Sequence, residues 1–235
     1  MKPWILLDTA TIPGSEVGLR LLQRGSEFSI QLGRTELMNS RLSGSEEALA
    51  NLACARIGAR QRATLLIGGL GMGFTLAAAL AALKPDARVV LAELVPAVVA
   101  WARGPLAPIC GPGPDDPRVT ILDEDVARVI RENPGAYDAI LLDVDNGPEG
   151  LTRPSNDRLY DGSGLGAAYG ALRPGGVLAV WSAAPDRAFS GRLRLVGFAV
   201  DEVVVRANGK GGGARHTIWL ATRPGMAPRR DDKNR

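Results

Sequence analysis

With 235 residues, 46% of them apolar and 23% charged, the chain is long enough for one α/β domain with an appendage and a sizeable core. No run approaches the roughly 20 uncharged apolar residues of a membrane span. A net charge of +3 with 5% aromatics offers no basic stripe interleaved with aromatics, so neither a membrane nor a nucleic-acid partner is expected.

Residues 1–60 read as a separate, β-rich unit. Strand candidates at 4–7, 19–24, 28–32 and 36–38 are broken by Gly and Pro. Ser45, followed by Glu46 and Glu47, reads as the cap of a helix running to residue 57, with acids in its first turn. From residue 61 to 223 short apolar runs alternate with helical patterns, which predicts parallel strands joined by crossover helices. Strands are expected at 64–67, 88–94, 119–122, 137–143 and 177–182, with helices at 74–84, 96–103, 126–132 and up to 172. A helix over 186–196 then precedes two β-rich runs, 198–206 and 216–221, joined by a glycine loop as an antiparallel hairpin. Residues 224–235, after Pro224 and with Pro228, read as a disordered tail.

The first crossover carries the chemistry. Leu65-Leu66-Ile67-Gly68-Gly69-Leu70-Gly71-Met72-Gly73-Phe74 reads as strand, glycine turn and helix start, and Glu93 stands at the tip of the next strand. Glycines let the backbone approach a ligand closely, the helix start offers unpaired N–H groups, and a carboxylate about 20 residues on suits a ribose diol. A nucleoside-containing cofactor is expected, on Gly69, Gly71, Met72, Gly73 and Glu93. A dinucleotide fingerprint needs G-x-G-x-x-G; here the glycines fall as Gly69-x-Gly71-x-Gly73. That spacing resembles the class I S-adenosylmethionine-dependent transferases, and so does a parallel sheet ending in a hairpin. The fold class expected is therefore α/β: a methyltransferase-like (Rossmann-like) seven-stranded sheet with a terminal antiparallel hairpin, plus the small N-terminal β-rich unit.

Four further segments resemble the spermidine synthases. Asp115-Asp116-Pro117-Arg118-Val119 precedes the third strand, as a similar run does in that family. Asp125 follows that strand, where the family's aspartate holds the adenine amino group. Tyr137-Asp138-Ala139-Ile140-Leu141-Leu142-Asp143 and Leu172-Arg173-Pro174-Gly175-Gly176-Val177 match its fourth strand and the turn before its fifth. The resemblance covers residues 28–205. It implies S-adenosylmethionine or its decarboxylated form as cofactor, Asp143 as base and cofactor contact, and a homodimer built through the N-terminal unit.

The sequence departs from the family where substrate chemistry is decided. The aspartate that grips the aminopropyl end is Gly71 here, and a second aspartate of the fourth-strand loop aligns with Asn146. The helix-start Tyr and His are absent from residues 45–51, and a glutamine after the fifth strand is Trp181. Aminopropyl transfer needs carboxylates for a cationic amine and a base near the sulfonium carbon, whereas methyl transfer asks mainly for positioning. A site this short of acids points to methyl transfer onto a small polar acceptor. The alternatives are polyamine aminopropyl transfer and a non-catalytic nucleoside-binding module.

Asp143 and Asp145, after the fourth strand, are the candidate catalytic residues, since open α/β sheets bind ligands at strand C-termini. A helix cap or turn is the competing role for Asp143. Asp123, two residues from Asp125, is its rival at the adenine. The polar stretch 146–161 reads as a lid or as a solvated loop. His216, the only histidine, reads as structural or as a base, and Trp181 as pocket wall or core. The two cysteines, Cys54 and Cys110, show neither metal spacing nor a disulfide framework. Lys2 is not followed by an apolar segment with a small-residue cleavage site. A cytoplasmic location is expected.

Overall fold

The computed structural model describes residues 2–14, 16–58, 60–144, 158–208 and 212–225. Four strands, β1 (Ile5–Ala10), β2 (Leu19–Arg24), β3 (Glu27–Leu32) and β4 (Thr35–Asn39), form an antiparallel N-terminal sheet in that order. The main sheet contains β5 (Thr64–Gly68), β6 (Arg88–Ala92), β7 (Val119–Leu122), β8 (Tyr137–Leu142), β9 (Leu172–Ser182), β10 (Ala199–Arg206) and β11 (Arg215–Thr222). Its order is β10-β11-β9-β8-β5-β6-β7; β5 to β9 run parallel, and β11 and β10 close the edge as the expected antiparallel hairpin.

Strand alternation splits the core into two layers, because successive side chains point to opposite faces. Leu65 and Ile67 of β5 face one cluster, covered by α1 (Gly44–Ile57), α2 (Phe74–Ala82) and α3 (Pro96–Arg103). Leu66 faces the other, covered by α5 (Val126–Glu132), α6 (Gly162–Ala171) and α7 (Arg187–Val196). A short helix, α4 (Ala107–Cys110), and a 3-10 turn occupy the Gly- and Pro-rich loop before β7. Although α1 follows the N-terminal strands in sequence, it packs against α2 and β9 of the main body.

Several boundaries differ from those the sequence predicts, each for a local reason. β6 stops at Ala92, two residues early, because the Glu93 carboxylate bends back to accept from the Leu70 and Val95 amides. β9 begins at Leu172 instead of 177, taking in the Arg-Pro-Gly-Gly turn through a register shift against β8. Ser45 is not the cap of α1: the cap position is Ser43, and the Ser45 hydroxyl bonds to Glu46 instead. The Asp-Pro-Arg run has a structural use. Arg118 pairs with Asp116 and donates to the Leu80 carbonyl at the end of α2, and this pairing holds the Asp116 carboxyl down at about 2.

Candidate active site

At the C-terminal ends of β5, β6 and β8 a cavity of about 160 Å³ opens beneath the N-terminal sheet. Leu19, Ile30, Leu37 and Met38 roof it, Gly69, Gly71, Ala92 and Val98 floor it, and Asp143 and Val144 close one wall. The glycine turn is shaped for close approach. Gly69 sits at φ +84°, and a Cβ there would lie 2.8 Å from the Asp143 carbonyl oxygen, so only glycine lets β5 and β8 converge.

Glu93 is buried at the floor. Its Oε2 accepts from the Leu70 amide at 2.8 Å and its Oε1 from the Val95 amide at 2.9 Å, which ties the glycine turn to the end of β6. Burial raises its pKa, opposed by the amides of Leu70, Val95, Leu94 and Gly71. Each oxygen keeps lone-pair capacity for a ligand hydroxyl. Asp125 caps α5, its Oδ1 accepting from the Ala127 amide at 2.8 Å, and it also lines the cavity. Its rival Asp123 faces a separate surface groove beside Pro96 and Arg103.

Asp143 accepts a 2.6 Å hydrogen bond from Thr75 Oγ1 on α2. Its pKa is pushed up to about 7, first by burial and then by the negative charge of Glu46, with the Thr75 bond opposing. The Glu46 pKa is raised as well, mainly by burial, with the Ser45 bond opposing and Glu47 adding repulsion. Two carboxyl groups that resist simultaneous ionisation titrate as a pair. Thr75 Oγ1 also lies 3.4 Å from the Glu46 carbonyl oxygen, which places the first turn of α1 beside the same wall.

Glu46 is the residue sequence reasoning missed. It reads as an ordinary first-turn acid, and no spacing marks it as close to Asp143, 97 positions away in the chain. The expectation of a site short of acids is corrected with it. Glu93, Glu124, Asp125 and Asp143 all line the cavity, Glu46 stands behind Asp143, and no basic side chain is among the described lining residues.

Of the other expected site residues, Gly69 and Gly71 line the cavity, while Met72 is buried in the core and Gly73 packs against Cys110. Asp145 and most of the loop 146–161 lie outside the described residues. Trp181 stacks edge-on against His216 and does not line the cavity. Among the described residues no group of His, Cys, Asp and Glu could hold a metal ion, and no helix is long and apolar enough to cross a membrane.

No family model matches the chain. A polyamine aminopropyltransferase of Corynebacterium efficiens is 35% identical over 127 residues, 52% of this chain but only 22% of that relative's length. Among solved structures, a spermidine synthase in complex with the transition state analogue AdoDATO superposes with a TM-score of 0.71 at 18% identity. It covers 93% of this chain and 72% of its own. The spermidine synthase from Thermotoga maritima gives 0.72 at 19% over the same shares. A probable spermidine synthase from Corynebacterium glutamicum gives 0.61 at 16%, over 92% and 79%. At these identities the structural likeness establishes the fold.

Proposed function

We propose, from the premise that this chain carries the spermidine synthase-like fold of the class I S-adenosylmethionine-dependent superfamily, that it is a transferase moving an aminopropyl group from decarboxylated S-adenosylmethionine to an amine of the polyamine class. The comparisons favour this over the methyl transfer expected from sequence, because the relatives are named for aminopropyl transfer and spermidine synthesis.

One observation carries the reading: four carboxylates line the cavity and no basic side chain does so among the described residues. A negative cleft concentrates cations. The decarboxylated cofactor has a sulfonium and an ammonium and no carboxylate, so it suits this lining better than intact S-adenosylmethionine, whose carboxylate would meet only like charge. The donor supplies an electrophilic methylene carbon beside sulfur: the amine nitrogen bonds to it, the carbon–sulfur bond breaks, and methylthioadenosine leaves with the electron pair.

The chain's residues divide the remaining work. Gly69 and Gly71 admit the nucleoside close to the backbone, and Glu93 accepts from the ribose hydroxyls. Asp125 keeps one oxygen for the adenine amino group, its other being committed to the Ala127 amide. Asp143, backed by Glu46, takes the proton that the attacking nitrogen must lose. With its pKa near 7, Asp143 exchanges protons readily at neutral pH.

A second reading has one observation in its favour. Met38 covers Gly71, so the position of the family's gripping aspartate is apolar here, and methyl transfer needs no such grip. Calorimetry with S-adenosylmethionine, its decarboxylated form and methylthioadenosine separates the two. Tighter binding of the decarboxylated form is the result expected; preference for the intact form favours methyl transfer, and binding of none overturns both transfer readings. The free, buried Cys54 and Cys110 fit the cytoplasm as the site of action, and the exposed Ile5, Leu6 and Leu7 of β1 fit pairing through the N-terminal sheet.

A further inference from the structure

His216 stands near the start of β11, its half-buried ring 4.8 Å from that of Trp181 and at 72° to it. Nδ1 lies 2.9 Å from Ser45 Oγ. Ser45 is 1% exposed and donates its hydroxyl to Glu46 Oε2 at 2.6 Å. A hydroxyl has one proton to give. Once it is given to Glu46, the Ser45 oxygen faces His216 as an acceptor, so Nδ1 must carry the proton between them. The result is a directed chain: imidazole N–H to serine oxygen, serine O–H to carboxylate. Its direction holds while Glu46 is ionised and reverses when Glu46 carries a proton, because the carboxyl then donates to Ser45 and Ser45 to Nδ1.

Among the described residues, the charges around the ring leave Glu46 as the group it addresses. On the face covered by α1, Asp201 of β10 is paired with Arg56 at 2.8 Å, and Glu47 accepts from Ser43 Oγ at 2.7 Å. Arg206 and Arg215 are cross-strand neighbours one position along, which puts them on the opposite face. β9 presents Trp181. Behind Glu46 stands Asp143, held by Thr75.

We propose that His216 is a positioning residue that, through Ser45, holds Glu46 in place behind Asp143, the carboxylate that takes the proton of the attacking amine. The inference rests on the amine-acceptor reading above. The balance is simple: the nitrogen gains the carbon bond, the sulfur leaves with its electron pair, and the nitrogen's surplus proton moves to a carboxylate oxygen and on to water. Burial lowers the His216 pKa below its ordinary value, which keeps the ring neutral and able to hold the Nδ1–H form.

A single histidine gives a single pair of ring nitrogen signals, so nitrogen NMR of the labelled full-length protein reads the chain without any substrate. At pH 8 the result expected is a proton on Nδ1 and a bare Nε2, changed in Ser45→Ala. A proton on Nε2 in the wild type, or an unchanged spectrum in Ser45→Ala, overturns the proposal. The catalytic clause is read from aminopropyl transfer. His216→Leu should lower kcat about tenfold and displace the acidic limb of the pH profile, leaving KM for the nucleoside unchanged. His216→Asn, which keeps an N–H near the place of Nδ1, should recover most of the loss. A His216→Leu profile matching the wild type overturns the inference while the reaction stands. A wild type with the Nδ1 proton and no aminopropyl transfer overturns the reaction instead, and the catalytic clause with it.

Discussion

Met38 lies directly over Gly71: a Cβ at Gly71 would be 2.7 Å from the Met38 methyl carbon and 2.8 Å from its sulfur. The Met38 thioether therefore occupies the space that a side chain at position 71 would need. A carboxylate there forces the flexible end of Met38 aside, and φ of +52° strains any side chain at the position, at a cost of about 1–3 kcal/mol. Gly71→Asp should therefore lower stability, and Met38→Ala in the same chain should clear the space while leaving the backbone strain at φ +52° in place. The double variant should then gain about tenfold in preference for the decarboxylated cofactor over the intact one, read by calorimetry.

Thr75→Val removes the hydroxyl that donates to Asp143 while keeping its shape. That hydrogen bond holds the Asp143 pKa down against burial. A bond to a charged group is worth about 1.5–3 kcal/mol, so the acidic limb of the transfer rate, near pH 7 in the wild type, should move up by about one to two units. An unmoved limb would mean that another group sets it.

Asp143 also ties stability to pH. Its folded pKa is about 7 and its reference value 3.8, so between these limits the folded chain keeps a proton that the unfolded chain has released. The stability this provides is complete below about pH 4 and is lost as pH rises to 7. Asp143→Asn has no such titration. Relative to the wild type it should gain stability between pH 5 and 8, by an amount on the order of a few kcal/mol, read from urea midpoints at the two pH values.

How far the sequence could be read follows from where its information lies. The glycine turn, Glu93 and the terminal hairpin are local patterns, and their strands and turn stand where periodicity puts them. Asp125 and Asp123 differ by two residues, and only the cap that Asp125 makes on α5 separates their roles. Glu46 was illegible because its importance comes from packing: α1 lies across α2 and β9, which carries an ordinary first-turn acid to the end of β8. The same packing puts Ser45 within reach of His216, 171 positions away.

Gly69 offers a test of the cavity floor that is independent of the acids. At φ +84°, with the Asp143 carbonyl 2.8 Å from a Cβ, alanine must push β5 and β8 apart. Gly69→Ala should cost about 2 kcal/mol or more and abolish nucleoside binding by calorimetry at ligand concentrations that saturate the wild type.

The most direct measurement is product analysis by mass spectrometry after incubating the protein with decarboxylated S-adenosylmethionine and a diamine. Aminopropylated amine and methylthioadenosine should form in equal amounts, with Glu46→Gln and Asp143→Asn each slowed at least tenfold. Methylated amine formed from intact S-adenosylmethionine, with no aminopropyl product from the decarboxylated form, would contradict aminopropyl transfer.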